Sequence, residues 1–126
     1  MAINILVVDD SAVMRSMIIK TIHLSGLETG EIFQASNGRE GLEQLSENWV
    51  DLVFIDVNMP VMDGMEMLGA IREDTATRDL PVLIVSTESN EDRIQVIGRQ
   101  RAGFVHKPFT PEMLRGKILE MVGVLE

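Results

Sequence analysis

Ile3-Asn4-Ile5-Leu6-Val7-Val8-Asp9-Asp10 opens the chain as an apolar run of strand length that ends on two carboxylates. The run Ile3–Val8 is too short for a buried helix and too apolar for a half-exposed strand. It reads as a strand buried on both faces, the situation in a parallel sheet covered by helices. Further runs follow at 31–35, 52–55, 81–85 and Gly103–His106, each succeeded by a helical pattern. The run at 31–35 is more polar and suits a sheet edge. Strands alternating with helices signal βα units. Five such units in 126 residues imply one α/β domain, a doubly wound (βα)5 three-layer sandwich. An eight-stranded barrel would need roughly twice the length.

The helices carry their own boundaries. The first should start near Ser11, place Met14, Met17, Ile18 and Ile22 on one face, and stop at Ser25-Gly26. Ser36-Asn37 caps a second with Leu42 and Leu45, and Asp63 caps a third, with Glu66 completing a capping box. Ser89 or Asn90 starts a fourth, whose stripe of Ile94 and Ile97 is narrow, so the core should hold it loosely. Thr110 and Pro111 open a fifth, with Leu114, Ile118, Met121, Val122 and Leu125 facing inward.

Twenty acidic residues against 11 basic ones give a formal charge of −9, which disfavours nucleic acid and anionic membranes as partners. Without cysteine there is no disulfide framework and no thiolate metal site. The opening segment lacks the pattern of a signal peptide, and no stretch approaches the roughly 20 apolar residues of a membrane span. A cytoplasmic protein is expected.

Ligands of open parallel sheets bind beyond the carboxyl ends of the strands. Here those ends carry Asp9-Asp10, Asp56, Ser86-Thr87 and Lys107-Pro108. Three carboxylates in one pocket repel one another unless a cation lies between them, and hard oxygen ligands favour magnesium or manganese. Lys107 offers an ammonium to a carboxylate or to a phosphoryl oxygen, and Ser86 offers a hydroxyl. A carboxylate nucleophile beside a metal, a lysine and a hydroxyl is a coherent set for phosphoryl transfer.

Three segments on those strand ends, Leu6-Val7-Val8-Asp9-Asp10-Ser11, Asp56-Val57-Asn58-Met59-Pro60-Val61-Met62-Asp63-Gly64 and Lys107-Pro108-Phe109, resemble response-regulator receiver domains of two-component systems. The resemblance covers nearly the whole chain. It implies the flavodoxin-like strand order 2-1-3-4-5 and a single receiver domain over 1–126 with no output domain. By the same resemblance Asp56 is the phosphoacceptor, Asp10 a direct Mg2+ ligand and Asp9 a metal-site residue. The carbonyl of Asn58 completes the protein ligands, Ser86 is the switch hydroxyl, Phe104 the switch aromatic, and Lys107 binds phosphate through a strand end closed by cis-Pro108. Phosphorylation would then remodel the surface around helices four and five.

Asn58 and Glu88 are the residue types that tune loss of the phosphoryl group in chemotaxis regulators, and Ser11-Ala12-Val13-Met14-Arg15 leans the same way. The resemblance therefore implies a histidine kinase as donor, self-catalysed dephosphorylation, and a downstream protein: a flagellar motor switch, a phosphatase or a phosphotransfer protein. A relay intermediate and a silent interaction module share much of this pattern. Thr87 stands where the family generally has a smaller residue, which would narrow access to Asp56, and Gln100-Arg101 stand where many receivers have Gly-Ala. Arg93, Arg99 and Arg101 make the fourth helix locally basic, while His23 and His106 have no metal-ligand spacing. A magnesium phosphohydrolase would place its nucleophile after the first strand and add a cap. A flavin carrier would need a phosphate loop there.

Overall fold

A computed structural model of the chain describes residues 2–87 and 90–122. Its strands are β1 (Ile3–Val8), β2 (Thr29–Ala35), β3 (Leu52–Asp56), β4 (Val82–Ser86) and β5 (Gly103–His106). Between and after them run α1 (Ala12–Leu24), α2 (Gly38–Glu47), α3 (Gly64–Glu73), α4 (Glu91–Arg99) and α5 (Pro111–Val122). The sheet is parallel throughout, in the order β2-β1-β3-β4-β5. Period-two alternation divides the strands between two cores. Ile5, Val7, Phe54, Leu83, Val85 and Val105 pack with Ile18 and Ile22 of α1 and with Leu114 and Ile118 of α5. Leu6, Val8, Val53, Ile55, Val82 and Ile84 pack with Met67, Leu68 and Ile71 of α3 and with Ile97 of α4.

Every helix start reads out as local chemistry. Ser11 Oγ accepts the Met14 N–H at 3.2 Å, Asn37 Oδ1 the Glu40 N–H at 2.9 Å, and Thr110 Oγ1 the Met113 N–H at 3.1 Å. Asp63 and Glu66 form the reciprocal capping box. Asn90 serves as the α4 cap, accepting from Asp92 and Arg93, while Ser89 lies outside the described residues. Each such cap contributes about 1 kcal/mol. Gly26, at φ 81°, provides the left-handed turn after α1. Leu125 lies outside the described residues.

The structure departs from the sequence reading at several edges. Met17 is exposed, because the buried stripe of α1 follows the i, i+4 spacing of Ile18 and Ile22, with Met14 and Ile19 at its flanks. β2 starts at Thr29 because Asn4 extends the pairing with its side chain, its Oδ1 accepting the Glu31 N–H at 2.9 Å where the β1–β2 register shifts. Strand β4 begins after Pro81, which has no N–H to give, and runs on to Ser86.

α4 is held from its far end. Ile97 is its one buried residue, whereas its C-terminal carbonyls are gripped by Arg72 from the last turn of α3. The Arg72 guanidinium donates to Gln100 O at 2.7 Å, Arg101 O at 3.2 Å, Leu80 O at 2.7 Å and Arg78 O at 3.2 Å. Arg101 adopts φ 60° and turns back to bond Asp79 Oδ1 at 2.9 Å and Arg78 O at 2.7 Å. A cation at the negative end of a helix is favourable, and partial burial strengthens it.

The β3–α3 connection stores strain. Met62 N–H donates to Pro60 O at 2.7 Å across Val61, whose φ is 67°. This is the rare form of the γ-turn, imposed here on an exposed β-branched residue. The loop is pinned beyond the turn, where Gly38 N–H donates to Met62 O at 3.0 Å.

Two outcomes follow from these contacts. Replacing Val61 with glycine should stabilise the fold by about 1 kcal/mol, as relief of the left-handed strain outweighs the added freedom of the unfolded chain. Thermal unfolding would show a higher midpoint, and a lower one would refute the strain. Arg72→Met should cost roughly 2 kcal/mol by chemical denaturation. Amide exchange should quicken in α4 well before α1, and uniform quickening would mean that the grip is not local.

Candidate functional site

Four strand ends meet at one edge of the sheet. Asp9 follows the last residue of β1, Asp56 ends β3, Ser86 ends β4, and Lys107 follows β5. The Lys107 N–H donates to Ser86 O at 2.8 Å, which carries the β4–β5 ladder one step beyond the strands. The Lys107–Pro108 peptide bond is cis.

Lys107 Nζ lies 3.7 Å from both Asp9 Oδ2 and Asp56 Oδ1. Asp9 is 2% exposed, and its Oδ1 accepts the Ser11 N–H at 2.9 Å. Its Oδ2 is buried and accepts no hydrogen bond, an expensive state for a carboxylate oxygen. Ligand oxygens of Asp9, Asp10 and Asp56 lie within 4.8 Å of one another, with Asp10 exposed at the mouth. Burial raises the Asp9 pKa above 3.8, opposed by the Ser11 N–H and Lys107 and reinforced by Asp10. Asp56 is also raised, first by burial and then by Asp9 and Asp10, against Lys107 and the Asn58 N–H. One ammonium thus pairs with two of the three clustered carboxylates, and the buried Asp9 oxygen beside it accepts no hydrogen bond. This donor set fits a hard divalent cation.

The other expected residues surround this centre at different depths. Ser86 is buried, and Asn58 and Thr87 are exposed. Phe104 is half-buried among the residues packed under α3 and α4, and its ring meets that of His106 edge-on at 6.3 Å. Glu88 lies outside the described residues.

The sequence reading quoted two further residues without seeing their purpose. A side chain on Gly64 would drive into the Asp56 carbonyl and lie 2.8 Å from Val57 Cα, so only glycine lets α3 start this close to the end of β3. Arg15 donates to the Asp9 carbonyl at 2.6 Å. An arginine one turn into a helix is an unremarkable surface residue by sequence, and no local pattern marks its target.

Known proteins share this arrangement. The model of the response regulator receiver domain matches residues 5–119. The chemotaxis protein CheY1 of Helicobacter pylori is 35% identical over 124 residues, covering 95% of this chain and 97% of that protein. A CheY homolog of Campylobacter jejuni is also 35% identical, over 95% of this chain and 92% of its own length. Among solved structures, Vibrio cholerae chemotaxis protein CheY4 superposes with a TM-score of 0.85 at 32% identity, covering 97% of this chain and all of that one. With the strand order, the acidic cluster and the strand-end lysine in place, the chain belongs to the response regulator receiver family and is a signalling domain of the two-component type.

Proposed function

We propose that Asp56 accepts a phosphoryl group from the phosphohistidine of a kinase, and that the phosphorylated domain acts in chemotaxis or motility signalling by binding a downstream protein. The observation that carries this reading is the pairing of Lys107 with both Asp9 and Asp56, the buried Asp9 oxygen that faces it accepting no hydrogen bond. Asp9, Asp10, Asp56 and the Asn58 carbonyl would hold Mg2+, which neutralises phosphoryl oxygen charge when bound.

An Asp56 carboxylate oxygen attacks phosphorus, the O–P bond forms, and the donor P–N bond breaks with its electron pair returning to the imidazole. Lys107 then leaves its carboxylate partners for a phosphoryl oxygen, and the Ser86 hydroxyl donates to another. Drawing Ser86 inward frees space that the half-buried Phe104 can enter, which shifts the α4-β5-α5 surface. Asn58 stands at the exposed rim, where it would influence the attack of water on phosphorus; that attack breaks the Asp56 O–P bond and restores the carboxylate.

The chemotaxis assignment follows the named functions of the relatives in Helicobacter, Campylobacter and Vibrio. On this reading the domain works in the cytoplasm. No described helix is long and apolar enough to cross a membrane.

Burial of the carboxylates in the metal-free site, reinforced by their mutual repulsion, has a pH signature. Asp9 and Asp56 have folded pKa values above their unfolded ones, so folding favours their protonated forms. Their contribution to stability is fully present below the unfolded value and is lost as pH rises through the folded values. Metal-free Asp56→Asn should therefore melt above wild type at neutral pH. The gap should shrink toward about pH 4 and on adding Mg2+. A variant less stable than wild type at neutral pH would contradict the cost of burying these charges together.

The function itself is read by intact mass after incubation with acetyl phosphate and Mg2+. Wild type should gain one phosphoryl group and Asp56→Asn none. An equal gain in the variant would move the acceptor elsewhere.

A further inference from the structure

Arg15 sits on the first turn of α1, directly behind the acidic cluster, yet it bonds to none of its carboxylates. One η nitrogen donates to the Asp9 main-chain carbonyl at 2.6 Å, and Nε donates to Gln34 Oε1 at 3.0 Å. Gln34 lies near the end of β2, where the Ala35 carbonyl accepts the Asp9 N–H at 3.1 Å and the Gln34 carbonyl accepts from Gln44 Nε2 at 3.4 Å. The guanidinium thus spans α1, the end of β1 and the end of β2. Its short, charge-assisted bond to Asp9 is of the strong kind.

The peptide group is planar, so fixing the Asp9 carbonyl fixes the plane of the Asp9–Asp10 bond and the direction in which Asp10 leaves the strand. Asp9 needs little such help, since burial and the Ser11 N–H already orient its carboxylate. Asp10 is exposed, and packing does little to aim it. Arg15 also brings positive charge near the cluster while leaving every carboxylate oxygen open. Lys107, by contrast, lies against oxygens of both Asp9 and Asp56.

We propose that Arg15 is a positioning residue for the divalent-cation site: through the Asp9 carbonyl and Gln34 it sets the Asp9–Asp10 peptide so that the Asp10 carboxylate is aimed at the cation. The inference rests on the reading of Asp9, Asp10 and Asp56 as a Mg2+ site. Outer contacts of this kind typically change metal affinity by about 10-fold to 100-fold.

The test is a Mg2+ titration of the full chain, followed by the backbone amide signals of Asp10 and Asn58, alongside thermal unfolding of each metal-free protein. Arg15→Met should weaken Mg2+ binding by about 10-fold. Arg15→Lys should recover part of that loss, because an ammonium can reach the carbonyl but cannot also span to Gln34. Gln34→Leu should give a smaller loss. A merely structural arginine would lower the metal-free melting temperature in Arg15→Met and leave the Mg2+ Kd unchanged, and that result would overturn the inference. Should Arg15→Met fail to fold, unchanged Kd values in Arg15→Lys and Gln34→Leu would overturn it equally. Absence of saturable Mg2+ binding in wild type would remove the cation site and the inference with it. Saturable binding that Arg15→Met shares undiminished would remove the inference alone.

Discussion

One ammonium held between two buried-edge carboxylates governs this molecule: Lys107 stands 3.7 Å from Asp9 and from Asp56. The sheet forces the arrangement. Parallel strands buried on both faces must be apolar along their length, so charge can enter only where they end. Four of the five strands here end side by side, and the parallel direction puts those ends on the same edge. The charges gathered there do not balance, since Asp10 adds a third carboxylate within 4.8 Å. A site short of positive charge is poised to take a cation and, with it, an anionic group. Lys107 stands 3.7 Å from each carboxylate, beyond hydrogen-bond distance, so no short bond ties it to either partner.

The same imbalance explains why the surroundings are rigid in some places and loose in others. Gly64 lets the start of α3 press against the Asp56 main chain, and Gly38 clamps the strained turn at Val61 onto α2. These contacts fix the end of β3 and its loop. On the opposite side of the site the β4–α4 connection leads into a helix with one buried residue, gripped at its C-terminal end by Arg72 and Arg101. A helix anchored at one end and lightly packed along its length moves most at its other end. The fold thus separates a firmly held Asp56 strand from a lightly packed α4.

Arginines recur in this architecture as main-chain clamps. Arg72 donates to four carbonyls, and Arg15 to one carbonyl and one amide oxygen. A planar guanidinium with several donors in fixed directions can tie segments that no single backbone bond would join. On a protein with a formal charge of −9, several of its 11 basic residues thus hold internal geometry.

Much of this was legible in the residues alone. The lengths of the apolar runs gave five strands, the cap residues gave the helix starts, and the motif segments pointed to Asp56, Asp9, Asp10 and Lys107. The strands and caps depend on interactions within about four residues of chain, or on burial that periodicity reports directly, and the site roles on the resemblance those segments carry. The tertiary structure alone decided the rest. Arg72 reaches carbonyls 28 and 29 residues away, and Arg15 reaches Gln34 across 19. Whether Met17 faces the core, where β2 begins, and why Gly64 must be glycine all turn on which segments the fold presses together. Local bonding is written in consecutive residues, but a long side chain finds its partners only after the sheet has brought distant carbonyls within its reach.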